Sequence, residues 1–354
     1  MPYRSAILVW LLISAPLFAQ PKTGDVQPDR LDIGVVYIGA TVEASFMVME
    51  AGNDAKTKLE VAAPKFVKVL DKSVEARDFG PGNNFVCGSI EIAIDTEAAA
   101  EFYGEVEVTL GKTKAKLPIS ATVKARRPGL SRVLIAETPF ERYTTKDGAM
   151  FKAWTDLVKS SPLDVCYLLT HKDKPVLRDL DLNKFDCVFL PAGALYWATA
   201  EDIKKARKYA EGGGRVVVAA NAFFVKSVTK ANEVLDGYGL AMRDDEARGG
   251  VGVKDVILGR DDLDPKLVKS GVTSAHFFRA SPAQVTDPKK GQILARAVGV
   301  GEAGDGFVAL AAVGKGEMIA IGQSLWWNWI CEERAKGTDN AKFLRWLLVP
   351  RVGG

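Results

Sequence analysis

The chain has 354 residues, 47% hydrophobic and 26% charged, the balance of a folded protein with room for two domains. Lys and Arg number 47 against 44 Asp and Glu, so the net charge of +3 lacks the basic surface that nucleic-acid binding needs. Four scattered cysteines without a CxxC pair, and two histidines, argue against a disulfide framework and against the common zinc motifs.

Residues 1–19 read as a secretory signal peptide. Arg4 supplies the positive start, residues 6–13 form an apolar run containing Trp10, Pro16 breaks it, and Ala19 suits the position before a cut. The run is far below the ~20 residues of a membrane-spanning helix. No stable span is expected once it is removed, and the expected location is periplasmic or extracellular.

Residues 29–124 alternate with period two. Val42, Ala44, Phe46 and Val48 share one phase, as do Ile90, Ile92 and Ile94, and later Ala115, Leu117, Ile119, Ala121 and Val123. Such alternation buries one strand face and wets the other, which predicts an antiparallel β-sandwich of immunoglobulin-like type. Pro118 cannot donate to a ladder and places its stretch on a sheet edge. The opening residues Leu31 to Gly39, followed by a strand with Phe46 at its centre, resemble the abnormal-spindle/hydin-like domain. That resemblance implies an interaction or spacer module without catalytic residues.

Residues 125–130, with Arg126-Arg127-Pro128-Gly129, read as a linker. Beyond it, over 131–350, strands and helices alternate. Strands are predicted at 132–136, 163–169, 185–190 and 215–220, with a helix at 149–158. A second helix starts at Thr199, with Asp202 as its capping-box partner, and ends at Gly212 to Gly214. Strands at 307–313 and 318–321 are joined through Gly314-Lys315-Gly316, and a last helix from about Asp339 stops at Pro350. The stretch 244–306 reads as peripheral strands and loops. Strands apolar throughout and interleaved with helices predict a mostly parallel sheet. Cys166 and Cys187 fall inside two of these strands. They are expected as buried thiols, or as a bridge should the strands be neighbours.

Three segments in order, Phe185 to Gly193, Ile203 to Val218, and Gly314 to Gly322 with Asn340, resemble the class I glutamine amidotransferase-like superfamily. The fold expected for the whole chain is therefore an all-β immunoglobulin-like sandwich followed by an α/β flavodoxin-like domain. Catalytic members of that superfamily place a Cys at a strand-to-helix elbow, whereas here the turn reads Ala220-Asn221-Ala222. Gly322-Gln323-Ser324 only partly echoes a serine elbow, and His171 and His276 form no metal set. The acidic runs, such as Asp244-Asp245-Glu246, read as wet loops. The remaining cluster is aromatic: Trp326, Trp327 and Trp329, with Trp197 after another strand, at positions where open α/β sheets bind ligands. A hydrophobic lid is the bland reading of that cluster.

The candidate ligand-binding residues are thus Trp197, Asn221, His276, Ser324, Trp326, Trp327 and Trp329. No cofactor and no metal is expected. The expected function is an exported, non-catalytic binding or scaffolding protein with a protein or glycan partner. The alternative is an atypical hydrolase acting on a sugar or amide, with His276 or His171 as base.

Overall fold

The computed structural model describes residues 22–79, 83–137, 149–170, 175–220, 225–244, 256–278, 280–298, 302–323, 329 and 336–350. The proposed signal peptide, residues 1–19, lies outside them. The chain divides into two compact units. One holds Glu43–Asp95, Glu101–Ala121 and the described residues up to Asp32; the other holds Ile33–Val42, Thr96–Ala100 and the chain from Thr122 onward.

Eight strands come first: β1 (Val26–Gln27), β2 (Leu31–Tyr37), β3 (Glu43–Ala51), β4 (Leu59–Ala62), β5 (Val67–Asp78), β6 (Asn84–Ile94), β7 (Ala100–Leu110) and β8 (Thr113–Lys124). They form two four-stranded sheets, ordered β1-β3-β6-β5 and β2-β8-β7-β4. The pairings β1–β3, β3–β6, β5–β6 and β4–β7 are antiparallel. In the first unit the sheets meet at Gly88 of β6, where a Cβ would stand 3.0 Å from Leu59 and 3.4 Å from Leu110. A side chain there would push the sheets apart.

Two details differ from the alternation argument. Strand β3 is buried on both faces, because Met47 and Met49 are as enclosed as Phe46 and Val48. Pro118 lies in β8, which has neighbours on both sides and is not an edge strand.

The second unit holds β9 (Ser131–Glu137), β10 (Leu163–Leu169), β11 (Cys187–Leu190), β12 (Arg215–Ala219), β13 (Leu240–Met242), β14 (Val256–Leu258), β15 (Ala275–Phe277), β16 (Ala283–Val285), β17 (Gly291–Arg296), β18 (Gly306–Val313) and β19 (Gly316–Ile321). Its helices are α1 (Ala149–Ser160), α2 (Ala192–Trp197), α3 (Ala200–Glu211), α4 (Val225–Leu235), α5 (Pro265–Lys269) and α6 (Asn340–Leu348). Nine strands make one sheet, whose path runs β10-β9-β11-β12-β19-β18-β16-β13 with β17 beside β18. Every residue of β10, β11 and β12 is buried, as expected for strands covered on both faces.

These sheets overturn the expected fold class. The path from β10 to β19 is parallel, but β19–β18, β18–β16, β16–β13 and β17–β18 are all antiparallel. An all-β immunoglobulin-like sandwich followed by a mostly parallel flavodoxin-like domain does not describe this chain. It is a mixed α/β protein with a sheet of mixed orientation, and its second unit takes in Ile33–Val42 and Thr96–Ala100 from within the supposed sandwich. Part of the reason is local. Val313 pairs with Gly316, leaving Gly314 and Lys315 as a two-residue turn, and so short a connection can join only antiparallel strands.

Cys166 and Cys187 are not on neighbouring strands, because β9 lies between β10 and β11. Two strand spacings amount to about 9–10 Å, beyond the reach of a disulfide. Both are free buried thiols, as is Cys87.

Candidate functional site

Strand β11 ends at Leu190, and Pro191 starts the short helix α2 directly beyond its carboxyl end. The last two residues of α2 are Tyr196 and Trp197, both half-buried. Their rings meet edge to face with centroids 4.7 Å apart. Helix α4, which follows β12, brings the exposed Lys226 over the pair. Its Nζ lies 4.3 Å from the Tyr196 ring centre and 5.4 Å from that of Trp197. An ammonium over two ring faces is a cation–π arrangement of about 0.5–1 kcal/mol at an exposed site. Val225, the residue before Lys226, is 47% exposed. The result is a rim where a hydroxyl, an indole N–H and an ammonium accompany aromatic surface.

The loop behind this rim is held by helix α3. Thr199 caps it, and Asp202 N donates to Thr199 Oγ1 at 3.2 Å while Thr199 N donates to Asp202 Oδ2 at 2.9 Å. The sequence spacing foretells this capping box. It does not foretell that Asp202 also accepts from Val176 N and Leu177 N, at 2.9 and 2.8 Å. One buried carboxylate thus fixes the start of α3 and the segment arriving from β10. A polar cleft of about 400 Å³ opens nearby between Arg178, Asp179, Glu201 and Lys205. Two of its cations serve the backbone: Lys205 Nζ donates to Arg178 O at 2.7 Å, and Arg178 Nη2 to Leu169 O at 2.8 Å.

The remaining candidates divide sharply. His276 sits in β15 with 1% of its surface exposed, and Trp329 is equally enclosed. Trp329 packs on Phe277 and Phe343, at 5.4 and 5.2 Å between ring centres. Its indole N–H donates to the carbonyl of His276. Asn340 completes the knot: its Oδ1 accepts from His276 N at 2.8 Å, and its Nδ2 donates to His276 O at 2.9 Å and to Trp329 O. The sequence groups Trp329 with a ligand surface, whereas the fold uses it as core. Asn221, Ser324, Trp326, Trp327 and His171 lie outside the described residues.

The described thiols offer little nucleophilic character. Burial pushes Cys187 up to about 12 and Cys87 up to about 11, and it raises Cys166 against the lowering pull of Arg132. All three stay protonated at neutral pH. Among the described residues no group of three His, Cys, Asp or Glu gathers as a metal set. No described helix is long and apolar enough to cross a membrane. Lys226 is the participant that sequence reasoning missed, since nothing in the chain order links it to Trp197.

No family model matches the chain, and no curated protein matches it. Among solved structures, it is similar to an exo-β-1,4-mannosidase from Opitutaceae bacterium strain TAV5, at 14% identity and TM-score 0.38, over 62% of this chain and 35% of that one. A cytoplasmic protein from Salmonella typhimurium is similar at 10% identity and TM-score 0.38, over 62% and 98%. A β-galactosidase from Bacillus circulans sp. alkalophilus is similar at 12% identity and TM-score 0.35, over 58% and 31%. The chain thus spans about a third of the length of the two glycosidases. Likeness this remote assigns neither fold nor activity.

Proposed function

We propose that this chain is an exported binding protein that holds a glycan at the Tyr196–Trp197–Lys226 rim without transforming it. The observation carrying this reading is the joining of two half-exposed aromatic rings and a lysine just beyond the carboxyl end of β11. That edge of a parallel sheet is where ligands are ordinarily taken. Aromatic surface suits the apolar C–H face of a sugar ring, and the three donors suit its hydroxyl or carboxylate oxygens. Lys226 covers part of the ring surface, so a sugar would displace it or bind with it as a donor. His276, one of the two candidate bases for the hydrolase alternative, is enclosed at 1% exposure.

A glycan array followed by calorimetric titration of the best ligand tests the reading. Trp197→Ala is expected to weaken binding about tenfold or more, the behaviour of a central aromatic contact. Unchanged affinity in that variant, or the absence of any glycan ligand, would defeat the proposal. Turnover of a bound glycan would replace it with the hydrolase.

A further inference from the structure

A second kind of site lies in the first unit, on the face of β3 turned away from Phe46 and Val48. Met47 and Met49 stand two residues apart and therefore on one side of the strand. Register places Cys87 of β6 directly opposite Met49. Directly opposed side chains have Cβ atoms about 4.5–5.5 Å apart and diagonal neighbours about 7–8 Å, so Cys87 lies beside Met49 and, across the diagonal from Met47, within reach of its long side chain. Met47, Met49, Phe85 and Cys87 form a contiguous cluster, with exposures of 6%, 1%, 6% and 0%, and Phe79 packs against it. Phe79 and Phe85 meet edge to face at 5.8 Å, an aromatic wall beside the sulfurs.

The soft side chains among the described residues of the first unit gather in this cluster. The chain has only six methionines and four cysteines. Two of the methionines and the single cysteine of the first unit share this patch. Aliphatic strand residues such as the neighbouring Val48 would fill the space with stiffer side chains.

We propose that Met47, Met49 and Cys87 form a binding site for monovalent copper. Two thioethers and a thiolate are soft ligands, the set that favours Cu(I) over oxygen-seeking divalent ions. Methionine's three rotatable bonds let both sulfurs swing onto an ion without moving the strand. Binding replaces the Cys87 S–H bond with an S–Cu bond and releases one proton to solvent; copper enters and remains as Cu(I), so no electron is transferred. Met47 is the more exposed of the two methionines, at 6% against 1% for Met49. The site is independent of the aromatic rim.

Anaerobic titration of the full chain with Cu(I), in competition with the chromophoric chelator bicinchoninate, tests this directly. One copper per chain is expected, with a new thiolate-to-copper band in the near ultraviolet and a raised Tm. Met47→Leu with Met49→Leu preserves volume and apolar character, so the fold should survive. That double variant is expected to lose about tenfold or more in Cu(I) affinity, together with the Tm rise. Cys87→Ala should remove the absorbance band, while Cys331→Ser should leave all three readouts unchanged. Copper held equally well by the methionine variant would remove the thioethers from the site, and copper held equally well by Cys87→Ala would place the ion on other ligands; either result would overturn the proposal. Failure of the unaltered chain to compete with the chelator would overturn it as well.

Discussion

Arg215 shows how one side chain ties distant segments together. It opens β12 at 3% exposure, yet its guanidinium is fully engaged. Nε donates to Glu317 Oε2 at 2.9 Å, and Nη1 donates to the carbonyls of Trp346, Leu347 and Val349 at 2.8–3.1 Å. It thereby caps the C-terminal end of α6, where a cation also meets the negative end of the helix dipole. Arg215→Ala should lower the unfolding free energy by about 2–4 kcal/mol in urea melts. Lysine, lacking the planar fork, should restore only part of it. Asp164 is the other buried charge that matters. It is fully enclosed, beside Arg126 Nε at 3.0 Å and Arg132 Nε at 3.5 Å. Burial holds its carboxyl above the ordinary value, outweighing the lowering pull of those two cations. The folded chain therefore keeps this proton to higher pH than the unfolded chain. Its stabilising effect is complete below the ordinary carboxylate value of 3.8 and is lost as pH rises through the raised one. Asp164→Asn should remove that downward contribution to the slope of stability against pH just above 3.8. An unaltered slope in melts across that range would contradict this account.

At the scale of elements, the sequence was most legible where local chemistry is strong. Thr199 and Asp202 announced the start of α3, and Pro350 marks the end of the last helix. The β18–β19 turn was equally plain. Gly314 adopts φ +57°, and a Cβ there would stand 2.4 Å from the carbonyl oxygen of Glu211. Gly314→Ala should therefore destabilise the chain by about 1–3 kcal/mol, read as a lowered urea midpoint with unchanged m. Asn340 was legible as a residue and not as a role. Its three hydrogen bonds to the backbone of His276 and Trp329 bind α6 to β15, and Asn340→Leu should cost about 2–3 kcal/mol by leaving a buried N–H unpaired. The two-sided burial of β3 was hidden as well. Met47 and Met49 fit the apolar count of a core strand, but only pairing with β6 shows that they meet Cys87.

For the whole molecule, strand order decides what pairwise reasoning could not. Cys166 and Cys187 lie 21 positions apart in similar apolar runs, and β9 separates them by entering the sheet from earlier in the chain. Mass spectrometry of alkylated, non-reduced protein should accordingly find no peptide linking the two. The chain by itself determined where six of the eleven described strands and three of the six described helices of the second unit lie, because periodicity, caps and glycine turns act within a few residues. It also fixed the residues at 220–222 as Ala-Asn-Ala, which carry neither thiol nor hydroxyl. Only the tertiary structure decided that the large sheet is of mixed orientation, that Ile33–Val42 belongs with the second unit, that His276 and Trp329 are interior, and that Lys226 covers Tyr196 and Trp197. These features join residues tens to hundreds of positions apart. Local propensity sets which face of an element is apolar, but the partner that covers it is selected by packing the whole chain at once.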